Sequence, residues 1–177
     1  MPRLDAALER LQRWDERACA RLNRTMRWRP ALVAFRGVSR LGDGVFWYAL
    51  MLALLLAHGT EAALPVLHMA GTGIAGTLMY RWLKRGTSRP RPYQVHAHIA
   101  AGADPLDRFS FPSGHTLHAV AFTLVAAAYY PLLGAPLAAA SAAVAASRVV
   151  LGLHYPSDVL AGAALGSSIA LASLQFR

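Results

Sequence analysis

The sequence predicts an all-α fold: a polytopic membrane bundle of about five to six transmembrane helices with an amphipathic, interfacial helix at its N-terminus. Three observations carry that expectation. The chain has 177 residues, 55% hydrophobic and 15% charged, with a mean hydropathy of +0.34, which excludes a disordered chain and an ordinary highly charged soluble domain. Its apolar residues gather into runs of helical length separated by breaks rich in Gly and Pro. Its cations lie before and between those runs, so the net charge of +9 falls where anionic lipid headgroups would meet it.

The organisation is an interfacial region over residues 1–43 and a transmembrane domain over residues 44–177. In the first region Leu4, Leu8, Leu11, Ala18 and Leu22 recur at helical spacing, with Arg10, Arg13, Arg17, Arg21 and Arg24 largely off that stripe. Such a helix is too charged to span, and Trp14 suits a headgroup boundary, so it is expected flat on the bilayer; packing on a partner protein is the alternative. Nucleic acid is the poorer partner for these cations, because apolar spans interleave with them. The first twenty residues lack the continuous apolar core of a secretory signal, so the segment is expected to stay on the mature protein. Cys19 is the only cysteine, which excludes an intramolecular disulfide and argues against a cysteine-based zinc site.

Arg29-Pro30 should end the first helix, and residues 31–40 form a short second one stopped by Gly42-Asp43-Gly44. Residues 45–57 are apolar yet shorter than the roughly 20 residues a hydrocarbon core needs. Residues 62–80 are long enough, and Gly71, Gly73, Ala75 and Gly76 offer a face for close helix approach. The same glycines spell a dinucleotide-binding pattern, but no strand precedes them and no suitably spaced acid follows. A polar loop is expected over residues 81–111, then spans over 116–130, 137–150 and 159–174, the last carrying Gly162-x3-Gly166 for helix contact. This order of crossings puts the loop over 81–111 and the segment before His154 on one side of the membrane, and the connections near Gly59 and Gly134 on the other.

Two polar segments meeting at one face invite a chemical reading. Arg148 is a permanent cation suited to phosphate oxygens, His154 a nucleophile or base, and Asp158 a carboxylate four residues on that could hold the imidazole. Alone they could be a solvated helix end; interrupting so apolar a sequence makes them functional candidates. Lys84 and Arg91 in the long loop, and Pro112-Ser113-Gly114-His115 at the start of a span, are individually weak signals.

Together, in this order and spacing, Lys84-x6-Arg91-Pro92, Pro112-Ser113-Gly114-His115 and Ser147-Arg148-x5-His154-x3-Asp158 resemble the three-part signature of the type 2 phosphatidic acid phosphatase superfamily. The resemblance covers residues 84–158 and every defining position. It implies that Lys84, Arg91 and Arg148 grip phosphoryl oxygens, with the Ser113 hydroxyl and Gly114 amide completing the cradle. It implies His154 as the nucleophile that forms a phosphohistidine, Asp158 as its orienting carboxylate, and His115 as the acid for the leaving oxygen and then the base for water. With three cations on one phosphoryl group, electrostatics is the main catalytic contribution, and neither a metal nor another cofactor is expected. His118 would support His115 from one turn away, His58 and His68 would be structural, and His96 and His98 would lie in the loop within reach of a headgroup.

The expected activity is that of an integral-membrane lipid phosphatase acting on a phosphomonoester or pyrophosphate. Phosphatidic acid, phosphatidylglycerol phosphate, undecaprenyl pyrophosphate and lipid A are all substrates the resemblance allows. A lipid phosphotransferase would use the same site; a transporter is the alternative from another class, though its charges would sit within spans rather than in two loops. Vanadium haloperoxidases share the signature but are soluble. Ten arginines from Arg3 to Arg40 precede the first span and would put the site in the cytoplasm by charge bias. Many bacterial relatives work at the outer face of the inner membrane, and a lipid-binding helix distorts the count, so the periplasmic face is the expectation.

Overall fold

The computed structural model describes residues 2–176; the side chains of residues 1–4, Leu4 of the apolar stripe included, and Arg177 lie outside the described residues. Eight α-helices form in chain order: α1 (Pro2–Asn23), α2 (Arg29–Leu41), α3 (Val45–His58), α4 (Ala63–Thr87), α5 (Pro92–Val95), α6 (Gly114–Tyr129), α7 (Gly134–Val150) and α8 (Pro156–Leu174), with no strand among the described residues. Among the described residues, three stretches are long and apolar enough to cross a bilayer: Val45–Val95, which contains α3 and α4, then Pro131–Val150 and Pro156–Leu174. Leu56, Leu67, Leu132 and Leu160 stand exposed around the bundle, a surface that suits a lipid environment.

The bundle is organised around α6, which packs on α8, α4 and α7 and buries Leu117, Phe122 and Val125. Small residues set the closeness of those contacts. A side chain added at Gly162 would come within 2.5 Å of the Ser113 carbonyl, and one at Gly166 would overlap the Leu117 carbonyl, so α8 lies directly on the α6 backbone. Gly73 and Gly76 of α4 likewise face Phe122 and Leu117, whereas Gly71 of the same predicted face meets nothing. The α6–α8 contact decides the site, because it brings Ser113 at the N-terminus of α6 beside Asp158 in the first turn of α8, joined by a Ser113 N–H to Asp158 O bond of 3.0 Å.

Two expectations change here. The loop predicted to begin at Arg81 begins later: α4 runs through Thr87, because residues 81–87 are mostly good helix formers and the first proline is Pro90. Lys84 therefore sits on a rigid helix, not in a loop. The second change concerns α1, expected to lie flat on the bilayer but docked on the bundle along a face other than its apolar stripe. Leu8, Leu11 and Leu22 are exposed, while Asp15, Cys19 and Asn23, one turn apart, are buried against α7 and α8. Asn23 donates to Ala100 O at 2.9 Å and Val150 O at 3.0 Å and accepts from Ala100 N at 3.0 Å, so its buried amide is fully used. The helix expected at the interface is docked on the bundle, attached along a polar seam that hydrophobic periodicity does not report.

Candidate active site

Four segments converge at one end of the bundle: the last turn of α4, the segment over 89–111, the N-terminus of α6, and the five-residue connection between α7 and α8. The last is the most constrained. His154 N–H and Leu153 N–H both donate to Arg148 O at 3.1 Å, and Gly152 takes a φ of +69°, a left-handed conformation that glycine adopts without strain. Pro156 starts α8, and Asp158 accepts the Tyr155 N–H at 2.8 Å, capping the helix with its own carboxylate.

His154 is buried, with Nε2 3.3 Å from Arg91 Nη1 and Nδ1 3.7 Å from Asp158 Oδ2. The second distance is that of an ion pair, longer than a hydrogen bond, and Nδ1 has no hydrogen-bond partner. Asp158 is therefore positioned to meet charge on the imidazole while its closer bonds go to Tyr155 N–H and Arg89. Burial first, and then Arg148, Arg91 and Lys84, hold the His154 pKa well below its ordinary value, so the ring is neutral and its nitrogen lone pair is available.

The predicted cations surround it. Lys84, Arg91 and Arg148 are all buried. Arg91 donates to Leu153 O at 2.7 Å, which ties it to the His154 segment. Arg148 donates to the Ser39 hydroxyl on α2, and its Nε is buried without a partner. Gly114 opens α6 as predicted, but the buried Ser113 hydroxyl is paired with Thr116 Oγ1 at 3.0 Å. Lys84, Arg91, Gly114, His115, Arg148 and His154, but not Ser113, line one end of a cavity of about 530 Å³, whose walls further along include Met51, Ala70, Ile74 and Phe122.

Four acidic or basic residues of the site were not singled out from the sequence. Asp107 binds Lys84 at 2.6 and 2.7 Å and Arg91 at 2.8 Å, so a carboxylate of this chain occupies the oxygen-binding positions of two cradle cations. Desolvation raises the Asp107 pKa, but the bonds and charges of Lys84 and Arg91 outweigh it, and the carboxyl stays below its usual value. Asp43, in the turn between α2 and α3, lies 2.5 Å from His115 Nε2, and that hydrogen bond holds its carboxyl below the ordinary range. Arg89 and Asp15 form a cluster behind Asp158. A lone Asp in a loop and a Gly-Asp-Gly turn carry no local sign of function; proximity alone marks them.

The remaining histidines have structural partners. His118 bridges Gly114 O, Gly73 O and Thr77, and His68 joins Tyr129 and Ser173 across helices. His58 stacks on Tyr130. His96 and His98 lie 3.4 and 3.6 Å from Glu16 of α1, with His96 also 3.1 Å from the Tyr155 hydroxyl, so both face the docked helix.

Comparison with known proteins identifies the family. The family model of the PAP2 superfamily matches residues 61–177. The chain belongs to the PAP2 superfamily. This PAP2 chain is 35% identical over 144 residues to a decaprenylphosphoryl-5-phosphoribose phosphatase of Mycobacterium tuberculosis, covering 80% of this chain and 78% of that protein. It is 36% identical over 117 residues to the undecaprenyl-diphosphatase BcrC of Bacillus subtilis, covering 64% and 58%. Among solved structures, Aquifex aeolicus LpxE superposes with a TM-score of 0.76 at 26% identity, over 88% of this chain and 92% of that one. The all-helical membrane architecture predicted from the sequence is thus that of its structural neighbour.

Proposed function

We propose that this PAP2 protein is a metal-independent phosphatase of the bacterial inner membrane that removes a terminal phosphate or diphosphate phosphate from a polyprenyl-linked lipid through a phosphohistidine. The observation that carries the chemistry is the buried trio Lys84, Arg91 and Arg148 around His154, whose Nε2 faces Arg91 while Nδ1 faces Asp158. A neutral imidazole among three fixed cations is a poor base for bulk protons but a good nucleophile toward a phosphoryl group that those cations hold and polarise.

In the first step His154 Nε2 forms a bond to phosphorus as the bond to the lipid oxygen breaks, and that oxygen takes a proton from His115. The imidazole now carries positive charge, which Asp158 offsets. In the second step His115 removes a proton from water, whose oxygen displaces His154 and releases inorganic phosphate. The cations act on the equatorial oxygens, where charge is spread in the transition state. Asp107 must give way to those oxygens, since it holds the same Lys84 and Arg91 donors.

The relatives named above support the polyprenyl substrate class, and the apolar part of the cavity suits a hydrocarbon chain entering from the bilayer. The active face proposed with it is the periplasmic one. Phosphate release by the purified protein from decaprenyl and undecaprenyl phosphates and diphosphates, phosphatidic acid, phosphatidylglycerol phosphate and lipid A tests the substrate. A preference of tenfold or more for a glycerolipid overturns that assignment. His154→Ala should abolish turnover in a folded protein; activity above a few per cent removes the nucleophilic role.

A further inference from the structure

The cluster behind Asp158 is built from three segments far apart in sequence. Arg89 Nη1 donates to Asp158 Oδ1 at 2.7 Å and to the Ser157 hydroxyl at 2.8 Å, and its Nη2 donates to Asp15 Oδ2 at 2.8 Å. Asp15 also accepts the Ser157 N–H at 2.9 Å and the Ser157 hydroxyl, so it caps the N-terminus of α8 from another helix. The Arg89 guanidinium lies 4.2 Å above the Tyr155 ring. Asp15 and Asp158 are both fully buried.

We infer that Asp15 of the N-terminal helix is a positioning residue for the phosphoryl-transfer step, acting through Arg89 to keep Asp158 fixed and effectively negative toward His154. The inference rests on the nucleophilic role proposed for His154. Asp158 can offset charge on the imidazole only if its own charge is not spent elsewhere, and Arg89 is a permanent cation in direct contact with it. Arg89 and Asp158 alone form a neutral pair. Asp15 on the other side of the guanidinium leaves the trio with one net negative charge, which in a buried setting is felt by the imidazole. The same bonds fix the first turn of α8, and hence the Asp158 rotamer, against α1. Cys19, one turn further along α1, approaches the backbone carbonyls of Val149 and His154 at 3.8 and 3.9 Å, so the helix is held against the catalytic connection at two points.

Asp15→Asn tests this with little change of shape. It should lower kcat on the order of 30-fold, the effect of one buried unit charge at moderate distance, while KM and the inhibition constant of inorganic phosphate change less than about threefold. The double variant Asp15→Asn with Arg89→Gln restores one net negative charge and should recover at least several-fold in kcat over Asp15→Asn alone. If Asp15→Asn does not survive extraction, Arg89→Lys, which keeps the charge but loses the fork that joins both carboxylates, should lower kcat by a smaller factor, about three- to tenfold, at constant KM through the position of Asp158 alone, and an unchanged kcat there overturns the inference. Unchanged kcat in Asp15→Asn, or a double variant no faster than the single, overturns the inference. His154→Ala assayed alongside separates the two readings: an inactive His154→Ala with a fully active Asp15→Asn removes the role of Asp15 and leaves the nucleophile standing.

Discussion

Asp43→Asn isolates the role of His115 without touching a signature residue. Asp43 Oδ1 lies 2.5 Å from His115 Nε2, and its carboxyl is held below the ordinary range by that bond, so an ionised carboxylate faces the imidazole. Burial, with Arg148 and Lys84, holds the His115 pKa below its ordinary value, and the Asp43 pairing works against them toward the protonated ring, the form that must deliver a proton to the departing lipid oxygen. A positioned general acid contributes roughly 10²–10⁴ in rate, and removing its carboxylate partner forfeits only a part of that. The Asp43 side chain is 34% exposed, so water can partly replace it. The expected loss is about 10- to 50-fold in kcat for an alkyl phosphate, or about 1.4–2.3 kcal/mol of barrier. With p-nitrophenyl phosphate, whose leaving oxygen needs little protonation, the loss should stay under about threefold. Steady-state phosphate release on both substrates is the assay, with His115→Ala and the double variant for comparison. If Asp43 works through His115, the double variant is no slower than His115→Ala. Equal loss on both substrates, or additive loss in the double variant, refutes the pairing as the means by which the acid is tuned.

Three further outcomes follow from the same geometry. Asp107→Asn frees Lys84 and Arg91 of an internal competitor, so the inhibition constant of inorganic phosphate should fall by about 3- to 10-fold; a rise would mean that Asp107 instead holds the cations in place. His154 has a folded pKa well below its unfolded value near 6.5, so below that pH the unfolded chain binds a proton that the folded one does not. Its contribution is complete above about pH 6.5 and is lost as pH falls toward the folded pKa, with a slope of up to about 1.4 kcal/mol per pH unit. His154→Gln should remove that slope from thermal unfolding measured in detergent between neutral pH and about pH 5, and an unchanged slope would show that other groups set it. Removing residues 1–24 should lower turnover of lipid and of short soluble esters alike, because Asp15, Cys19 and Asn23 go with it. The apolar stripe of α1 by itself predicts a loss on lipid vesicles only, so a selective loss there would show that the docked seam is dispensable.

The sequence by itself determined the class of the protein and singled out its candidate site residues. Apolar runs of helical length require a membrane bundle, since lipid leaves backbone groups no partner but their own helix. The spacing of Lys84, Arg91, Ser113, His115, Arg148, His154 and Asp158 is local information, carried on a few short segments whose chemistry is legible one residue at a time. What only the tertiary structure decided is how those groups are balanced. Asp43, Asp107, Arg89 and Asp15 have no spacing relation to the residues they touch; Asp15 and Arg89 meet at Asp158 because α1 docks on α7 and α8, and Asp43 reaches His115 because α2 packs on α7, which packs on α6. The face of α1 shows the limit most clearly. Its periodic leucines announce an apolar stripe, yet Leu8, Leu11 and Leu22 stay exposed and a buried Asp-Cys-Asn seam holds the helix, because a seam of satisfied polar contacts depends on partners that sequence periodicity does not contain.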